Sequence, residues 1–354
     1  MSRNPDPAFW SGRRVLLTGH SGFKGAWAAL WLHRLGAEVH GFALAPETQP
    51  SLWRLAGQRL LASETIGDVR DARALAGTVA RVRPQIVLHM AAQSLVRRGF
   101  ADPAGTAAAN VMGTVNLLEA LRGLGGVEAA LVVTTDKVYA NGGEGRAFRE
   151  DDPLGGSDPY SASKAAAELL TASYAASFFD AAGVPVATAR AGNVIGGGDW
   201  AEDRLVPDLW RAAHAGVPLR LRAPGSVRPW QHVLEPLAGY FLHLEALAAG
   251  EGVPRAMNFG PAAGECLTVA ELADAVGAAL GAACAWERDA GVHPAEAASL
   301  ALDATLAART LGWTPRLTAG GAAAWTGGWY ADHGAGGAAR DLCLAQIAAY
   351  EALA

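Results

Sequence analysis

The 354-residue chain has few cysteines, no long apolar run and no excess of positive charge. Its three cysteines, Cys266, Cys284 and Cys343, lie far apart without metal-ligand spacing, which argues against a disulfide framework and against a zinc site. The net charge of -5 gives no reason to expect binding to nucleic acid or to an anionic membrane. We therefore expect neither a bound metal nor a nucleic-acid partner.

No apolar stretch approaches the ~18 residues that a membrane-spanning helix needs. The segment from Met1 to Trp10 is polar and contains proline, unlike the apolar core of a secretory signal. The sequence thus predicts a cytoplasmic protein with no membrane partner.

Short apolar segments alternate with helical ones as far as Arg190, and this alternation is typical of a parallel sheet with crossover helices. After Gly192 the alternation stops, and loops rich in Gly, Pro, Trp and Arg follow. The pattern predicts an α/β fold: a Rossmann-type doubly wound parallel sheet with a smaller C-terminal domain that faces the substrate. The predicted strands are 14–18, 38–44, 85–89, 129–135 and 185–190, and the predicted helices are 24–35, 103–122 and 160–179.

A glycine-rich turn follows the first strand and opens the first helix. Such a turn lets the backbone approach a pyrophosphate closely and points the amides of a helix N-terminus at it. In this strand-turn-helix setting it predicts a dinucleotide site. His20 and Lys24 are candidate phosphate contacts, although Lys24 is equally well explained as a solvated helix residue. The glycines recur as G-x-x-G-x-x-G in the run Gly19-His20-Ser21-Gly22-Phe23-Lys24-Gly25.

The acid that marks many NAD sites is missing at the end of the second strand, which finishes with Ala43 and Leu44. An arginine for a 2′-phosphate is also missing nearby, so this feature leaves the choice of cofactor open. Asp68, which follows Gly67, is better placed to contact the adenine end of a dinucleotide. An ordinary loop acid would explain Asp68 as well.

Tyr160 and Lys164 stand one helical turn apart, so both lie on one face of the predicted helix. An ammonium there can lower the pKa of the phenol, and the tyrosine can then take a proton from an alcohol near neutral pH. Thr135, Asp136 and Lys137 end an apolar strand, where ligands bind in open α/β sheets. Together these groups predict an alcohol-oxidising centre with a second acid/base pair. The simpler alternatives are a surface Tyr–Lys pair, a strand-end cap and a solvated lysine.

Two later residues are candidates for substrate binding. Asn193 lies at a strand end among small residues, where its amide can bind a substrate hydroxyl or a phosphate oxygen. Arg228 lies on a loop and suits bidentate recognition of a diphosphate, although a structural ion pair would also explain it. His232, close by, is better explained as a packed residue than as a catalyst.

These motifs resemble those of the extended short-chain dehydrogenases/reductases that act on nucleotide sugars. Within that family, the chain resembles the 4,6-dehydratases, and in particular those that use CDP-glucose. The dTDP-glucose and GDP-mannose dehydratases typically carry Thr-Asp-Glu where this chain has Thr-Asp-Lys, so Lys137 stands in place of a glutamate. The matching stretches are TGHSGFKGAW, HMAAQSLVRRGF, NVMGTVNLLEA, VVTTDKVYAN, EDDPLGGSDPYSASKAAAELL, ARAGNVIGGGDWAEDRLVPD and RPWQHVLEP.

The resemblance implies an NAD-binding Rossmann domain over residues 10–190, with a returning segment near 232–260. Residues 191–231 and 261–354 would form the substrate-binding domain. Besides the glycine-rich turn, the implied NAD contacts are Asp68, Val69, Ala91, Ala92, Gln93, Asn110, Tyr160 and Lys164. The implied substrate contacts are Ser94, Arg97, Thr135, Asn193, Arg204 and Arg228.

The resemblance also implies a redox-neutral elimination that yields CDP-4-dehydro-6-deoxyglucose for deoxysugar biosynthesis. Tyr160, helped by Lys164, would take the proton of the sugar 4-hydroxyl. Thr135 would hydrogen-bond the 4-oxygen, Asp136 would act as acid, and Lys137 would act as base or orient water or substrate. A related epimerase or C4 oxidoreductase needs only Tyr160 and Lys164, and a non-catalytic dinucleotide sensor on the same fold needs neither.

Helices 103–122 and 160–179 carry apolar residues on more than one face, more than contact with one sheet requires. Extended members of this family often pair through these two helices into a four-helix bundle. We therefore expect a homodimer. The residues that suggest it are Val111, Val115, Leu118, Leu169, Leu170 and Tyr174.

Overall fold

A seven-stranded parallel sheet forms the centre of the molecule, in the order β11-β6-β5-β4-β1-β2-β3. The computed structural model describes residues 2–57, 59–143, 145–281, 285–291 and 300–354, so Cys284 lies outside the described residues. The strands are β1 Arg14–Thr18, β2 Glu38–Ala43, β3 Ser63–Ile66, β4 Ile86–His89, β5 Ala129–Val133, β6 Val186–Ala191, β7 Val194–Ile195, β8 Leu219–Leu221, β9 Val227–Arg228, β10 Gln231–His232, β11 Ala256–Phe259, β12 Leu267–Thr268 and β13 Trp286–Arg288.

The strand order reverses beside β1, because β2 lies on one side of it and β4 on the other. A reversal of this kind opens a crevice at the carboxyl ends of the strands. The predicted α/β fold with a doubly wound parallel sheet is confirmed. The sheet also takes up β11, which pairs in parallel with β6 after the chain has passed through β7 to β10 and a long helix.

The helices begin and end close to the predicted positions. The expected helix 103–122 is one continuous helix in which a π-helical turn, Ala108–Met112, joins α6 to α7. The helices are α1 Pro7–Trp10, α2 Phe23–Arg34, α3 Leu52–Ala56, α4 Ala72–Val82, α5 Val96–Ala101, α6 Pro103–Ala107, α7 Gly113–Leu121, α8 Pro159–Tyr174, α9 Leu205–Ala215, α10 Leu234–Ala248, α11 Val269–Leu280, α12 Thr305–Leu311, α13 Ala319–Gly334 and α14 Ala339–Glu351.

Both faces of the sheet are buried, as the apolar character of its strands requires. Along β1, Val15 and Leu17 point to the face covered by α2 and α10. Leu16 points to the opposite face, which α4, α7 and α8 cover. Leu118 of α7 belongs to this second core and is fully buried. Of the apolar residues that the sequence places on more than one face of this helix, Leu118 is therefore one that faces the sheet.

Two buried glutamates of α10 form hydrogen bonds with distant parts of the chain. Glu245 accepts hydrogen bonds from the Trp10 indole at 2.7 Å and the Asp6 amide at 2.8 Å. Glu235 accepts from the Tyr350 hydroxyl at 2.7 Å and from the backbone amide of Leu317 at 2.8 Å. The core helix α10 thus anchors both the segment before β1 and the C-terminal helices.

Three two-stranded pairings follow the central sheet: β10 with β7, β12 with β9, and β13 with β8. They belong to the loops that cover the carboxyl ends of the main strands. Over the described ranges, no helix is long and apolar enough to cross a membrane. In the same part of the chain, no group of acidic, histidine and cysteine side chains could hold a metal ion.

Candidate active site

A cleft of about 940 Å³ runs along the carboxyl ends of six strands of the central sheet. The segments that follow β1 to β6 all contribute to its wall, and loops from residues 199–230 form the opposite wall. Most of the predicted site residues line this cleft. His20, Asn110 and Asp136 do not, and each lies buried behind its wall.

The glycine-rich turn is packed too tightly for side chains at two of its glycines. Gly19 has φ +79°, and a Cβ there would lie 2.7 Å from the Ala91 amide nitrogen. A Cβ at Gly25 would lie 2.0 Å from the Gly19 carbonyl oxygen. The turn therefore presses the first turn of α2 against β1 and the loop after β4. The N-terminal amides of α2 remain at the cleft, which suits a pyrophosphate.

The side chain of His20 points away from the cleft. Its Nε2 lies 2.8 Å from a carboxylate oxygen of Glu64, and its ring packs edge-on against Trp53. Burial lowers its pKa, although the contact with Glu64 opposes that effect. A phosphate contact from the His20 side chain, expected from the sequence, would need this arrangement to change. Only its backbone is available to a ligand as the structure stands.

Asn110 lies beneath the cleft at the π-helical turn and connects two of its walls. Its Oδ1 accepts from the Gln93 amide at 2.8 Å, and its Nδ2 donates to the Gln93 carbonyl at 3.0 Å and the Ser163 hydroxyl at 2.9 Å. Ser163 belongs to α8, the helix that carries Tyr160. Asn110 thus holds the loop after β4 in register with α8, and it lies too deep to line the cleft.

Tyr160 and Lys164 lie together on the inner face of α8 and are both nearly fully buried. Burial raises the pKa of Tyr160, and the charge of Lys137 followed by a hydrogen bond with Thr135 opposes the rise. Lys164 donates to the Val133 carbonyl at 3.0 Å, and burial lowers its pKa to about 8. The ammonium expected to lower the pKa of the phenol is therefore Lys137 rather than Lys164.

The segment after β5 brings a hydroxyl, a carboxylate and an amine to the same place. Asp136 is completely buried, and its Oδ1 accepts from the Thr135 hydroxyl at 2.9 Å and from Lys137 Nζ at 3.1 Å. Its Oδ2 has no hydrogen-bond partner among the described residues. Thr135 and Lys137 line the cleft on either side of it. Asp136 could touch a substrate only after a side-chain rotation.

Three of the predicted substrate residues make contacts that run from one wall of the cleft to the other. Arg204 donates to Asp199 at 3.2 Å and to the Ser94 hydroxyl at 3.1 Å, while Arg97 donates to Asp203 at 2.5 Å. These bonds join the loop after β4 and the start of α5 to the loop before α9.

The remaining two substrate candidates lie closer to the centre of the cleft. Asn193 lies with its Oδ1 3.5 Å from Lys137 Nζ. Arg228 is buried at the cleft wall and donates to the Val227 carbonyl at 2.9 Å. At the far end of the cleft, Asp68 is ion-paired with Arg70, which lowers the pKa of the Asp68 carboxyl.

Comparison with known proteins agrees with this arrangement. Residues 15–260 match the NAD dependent epimerase/dehydratase family. The chain belongs to this family. NAD is therefore its cofactor, and the tight turn at Gly19 and Gly25 with the open N-terminus of α2 suits that cofactor.

Curated relatives within the family include sugar-nucleotide dehydratases. CDP-glucose 4,6-dehydratase of Salmonella typhimurium is 45% identical over 317 residues, which are 88% of each chain. The dTDP-glucose 4,6-dehydratase of Streptomyces griseus is 32% identical over 75% of this chain and 77% of that one. Among solved structures, UDP-glucose 4-epimerase of Thermus thermophilus in complex with NAD has a TM-score of 0.75. It is 28% identical to this chain, and the match covers 89% of this chain and 97% of that one.

Lysine usage is a signal that the sequence reasoning missed. The chain has three lysines against 26 arginines, and all three lysines, Lys24, Lys137 and Lys164, line the cleft. Arginine stays charged in proteins, whereas lysine can lose its proton when it is buried. The placement of all three lysines at the cleft fits a site that needs cations able to lose a proton.

Lys24 and Tyr240 form a second missed feature. Lys24 was expected to contact phosphate or to be solvated, but its ammonium lies 3.5 Å from the Tyr240 hydroxyl and close to other positive charges. Burial, followed by the charges of Arg204 and Lys164, lowers the pKa of Lys24 to about 7. The residue is only partly exposed at the cleft. A charged Lys24 therefore destabilises the folded state.

We expect Lys24→Met to stabilise the protein at pH 7 and below. The pKa of Lys24 is about 7 in the folded state and about 10.4 in the unfolded chain, so the unfolded state binds more protons between these values. The stability of the wild type should therefore rise with pH across that window, more steeply than that of the variant. Urea unfolding of both proteins at pH 6.5, 8 and 9.5 measures the difference. An advantage of the variant that does not shrink as pH rises would contradict this reasoning.

Proposed function

We propose that this protein is an NAD-dependent hydro-lyase that converts CDP-D-glucose to CDP-4-dehydro-6-deoxy-D-glucose. The observation that carries the proposal is the contact between Asp136 and Lys137. These two side chains lie 3.1 Å apart, in the cleft region that also holds Tyr160 and Lys164. The 45% identity to a CDP-glucose 4,6-dehydratase over 88% of both chains supports the same conclusion.

The cofactor would lie along the glycine-rich turn, with Asp68 and Val69 at one end and Ala91 to Gln93 beside it. Bound NAD would supply the redox chemistry by taking a hydride from sugar C4 and returning it at C6. Lys164 and Tyr160 at the same wall would orient the reacting sugar against it.

Tyr160 would take the proton of the 4-hydroxyl as C4 is oxidised. The positive charge of Lys137 and the hydrogen bond with Thr135 favour the phenolate that accepts this proton, against the effect of burial. Lys164, with its pKa lowered to about 8, is poised to exchange a proton near neutral pH. The ketone formed at C4 acidifies the neighbouring C5 proton.

Asp136 and Lys137 would then carry out the elimination as a pair. A proton transfer across their 3.1 Å contact gives a neutral amine and a protonated carboxyl at the same time. The amine takes the C5 proton while the carboxyl protonates the departing C6 hydroxyl, which leaves as water. This exchange restores the ammonium and the carboxylate, and the ammonium can return a proton to C5. The proton that Tyr160 took from the 4-hydroxyl then passes to the neutral amine through solvent, which restores the starting charges. The unpartnered Oδ2 of Asp136 is the oxygen that a side-chain rotation would bring to the C6 hydroxyl.

The basic side chains across the cleft would hold the nucleotide. Arg204 and Arg228 line the cleft on the wall opposite the glycine-rich turn, and guanidinium groups match the geometry of a diphosphate. Asn193, Ser94 and Arg97 would contribute hydrogen bonds nearer the sugar. In this arrangement residues 10–190, with the return near 232–260, hold the cofactor, and residues 191–231 and 261–354 hold the substrate.

An epimerase of the same family is the alternative, since relatives of that class share the fold. Epimerisation at C4 needs the Tyr–Lys pair but has no use for a second acid and base. The contact between the buried Asp136 and the partly exposed Lys137 favours the dehydratase.

A cytoplasmic location fits the cysteines, because Cys266 and Cys343 are both free thiols. Thiols persist in reducing compartments. We include this location in the proposal.

Product analysis tests the proposal directly. Protein loaded with NAD is incubated with CDP-, dTDP-, UDP- and GDP-linked hexoses, and the products are identified by mass spectrometry. The proposal expects CDP-glucose to lose 18 mass units (one water) and to be consumed in preference to the others. A CDP-hexose of unchanged mass would point to the epimerase instead.

Tyr160→Phe should abolish turnover while NAD affinity stays within about tenfold of wild type, because only the proton-accepting oxygen is lost. Steady-state assays and fluorescence titration with NAD measure the two effects. Loss of the fold or of NAD binding in this variant would argue against the assigned role.

Asp136→Asn and Lys137→Ala should separate oxidation from elimination. Oxidation at C4 needs Tyr160 and Lys164, whereas elimination also needs an acid and a base. Each variant should therefore accumulate reduced cofactor while dehydration slows by roughly 10²- to 10⁴-fold. Lys137→Ala should form the reduced cofactor more slowly than Asp136→Asn, because it also loses the charge that favours the phenolate of Tyr160. Single-turnover absorbance of the reduced nicotinamide and exchange of the C5 proton into deuterated water report the two steps. Dehydration at the wild-type rate in Lys137→Ala would make Lys137 a bystander.

A homodimer is expected through the outer face of α6–α8, where Met112 is 50% exposed and Leu169 is 60% exposed. Leu169→Glu should convert the dimer to a monomer in light scattering at micromolar concentration, because a charge would be buried at the interface. Leu55→Glu, on α3 and 43% exposed, is the matched control and should leave the dimer intact. A monomeric wild type would refute the expectation.

A further inference from the structure

The carboxylate of Glu168 is the centre of a buried hydrogen-bond network just behind the active site. It is 3% exposed and accepts four hydrogen bonds. Thr134 donates to it at 2.5 Å and Thr188 at 2.7 Å, while Arg190 donates through Nε at 3.0 Å and Nη2 at 2.9 Å. The bidentate Arg190 contact is the strong geometry for a carboxylate.

Three elements meet at this one side chain. Glu168 lies on α8 one turn beyond Lys164, so Tyr160, Lys164 and Glu168 share a helix face. Thr134 follows β5 and directly precedes the segment of residues 135–137. The remaining donors lie on β6. The bond from Thr134 to Glu168 therefore joins the two chain segments that carry the proposed catalytic groups.

The positive charge of Arg190 balances the negative charge of Glu168, so the network is neutral overall. Although burial by itself lowers the pKa of Arg190, its bonds to Glu168 raise it, so the guanidinium stays charged. Its Nη1 donates to the Tyr139 hydroxyl at 2.8 Å, and Tyr139 donates in turn to Asn258 at 2.7 Å. A buried pair of this kind adds little net stability over apolar packing, so its presence calls for another explanation.

We propose that Glu168 is a positioning residue, which through Thr134 sets the Asp136–Lys137 pair at the correct distance from Tyr160 and Lys164. The inference rests on the proposed dehydratase function, and it concerns the residues that hold the catalytic groups rather than those groups themselves. Oxidation and elimination occur at adjacent carbons of one sugar, so the two groups must be held in fixed relation. A misplacement of about 1 Å can cost roughly 10²-fold in rate.

Glu168 also acts on Lys164 through its charge. Burial lowers the pKa of Lys164, and the nearby carboxylate opposes that effect. The same side chain thus sets the position of one segment and moderates the charge of the other.

Removing Glu168 itself is a poor test, because it would leave Arg190 buried without its partner and could unfold the protein. The two threonines offer a matched pair instead. Both are nearly fully buried, and each donates its hydroxyl to one oxygen of Glu168. Thr134 adjoins the catalytic segment, whereas Thr188 lies within β6. Valine has nearly the shape of threonine and carries a methyl group in place of the hydroxyl.

We expect Thr134→Val to lower kcat for dehydration by roughly 10-fold or more with little change in KM, and to accumulate reduced cofactor in single turnover. Thr188→Val should keep kcat within about twofold of wild type, although both variants should lose a similar amount of thermal stability. Thr134→Ser, which restores the hydroxyl, should recover most of the rate.

Two results would overturn the inference. Equal losses of kcat in the two valine variants would mean that the network supports only the fold, and a wild-type kcat in Thr134→Val would mean that the bond does not position the pair. Failure of the wild type to dehydrate CDP-glucose is a separate result, because it overturns the proposed function and removes the basis of this inference with it.

Discussion

The parallel pairing of β4, β5 and β6 is the constraint on which the site depends. Parallel strands end at the same edge, so this pairing brings the segments after His89, Val133 and Ala191 side by side. Each of these segments carries polar residues, and none of them is close to another in sequence. The apolar faces of the sheet, buried by α2 and α10 on one side and α4, α7 and α8 on the other, hold this edge in place.

The charged groups at this edge are organised in two layers. The layer at the cleft contains the three lysines of the chain. The layer behind it contains side chains that do not line the cleft but form hydrogen bonds with residues that do. Asn110 and Glu168 are examples. Burial decides the chemistry of the first layer, because it lowers the pKa of Lys24 to about 7 and that of Lys164 to about 8. The second layer restricts how far the first can move.

The Asp136–Lys137 pair shows how the two layers act together. Its carboxylate is buried and shares one oxygen with Thr135 and Lys137, while the other oxygen is unpartnered in the described structure. The lysine lines the cleft and the carboxylate lies behind it, so their 3.1 Å contact links the two layers.

The sequence by itself determined the α/β class, the glycine-rich turn, the Tyr160–Lys164 helix face and the family, because each depends on local spacing or on a short motif. Only the tertiary structure decided that the His20 side chain turns toward Glu64, that Asp136 lies behind the cleft wall and that Leu118 faces the core. Tertiary packing also decided that Lys137 rather than Lys164 counters the rise in the pKa of Tyr160. Periodicity places a side chain on a face, but its exposure and its charge partners depend on elements far away in the chain. Glu168 shows the difference most clearly: its spacing from Lys164 is visible in the sequence, whereas its bonds to Thr134, Thr188 and Arg190 exist only because β5, β6 and α8 pack together.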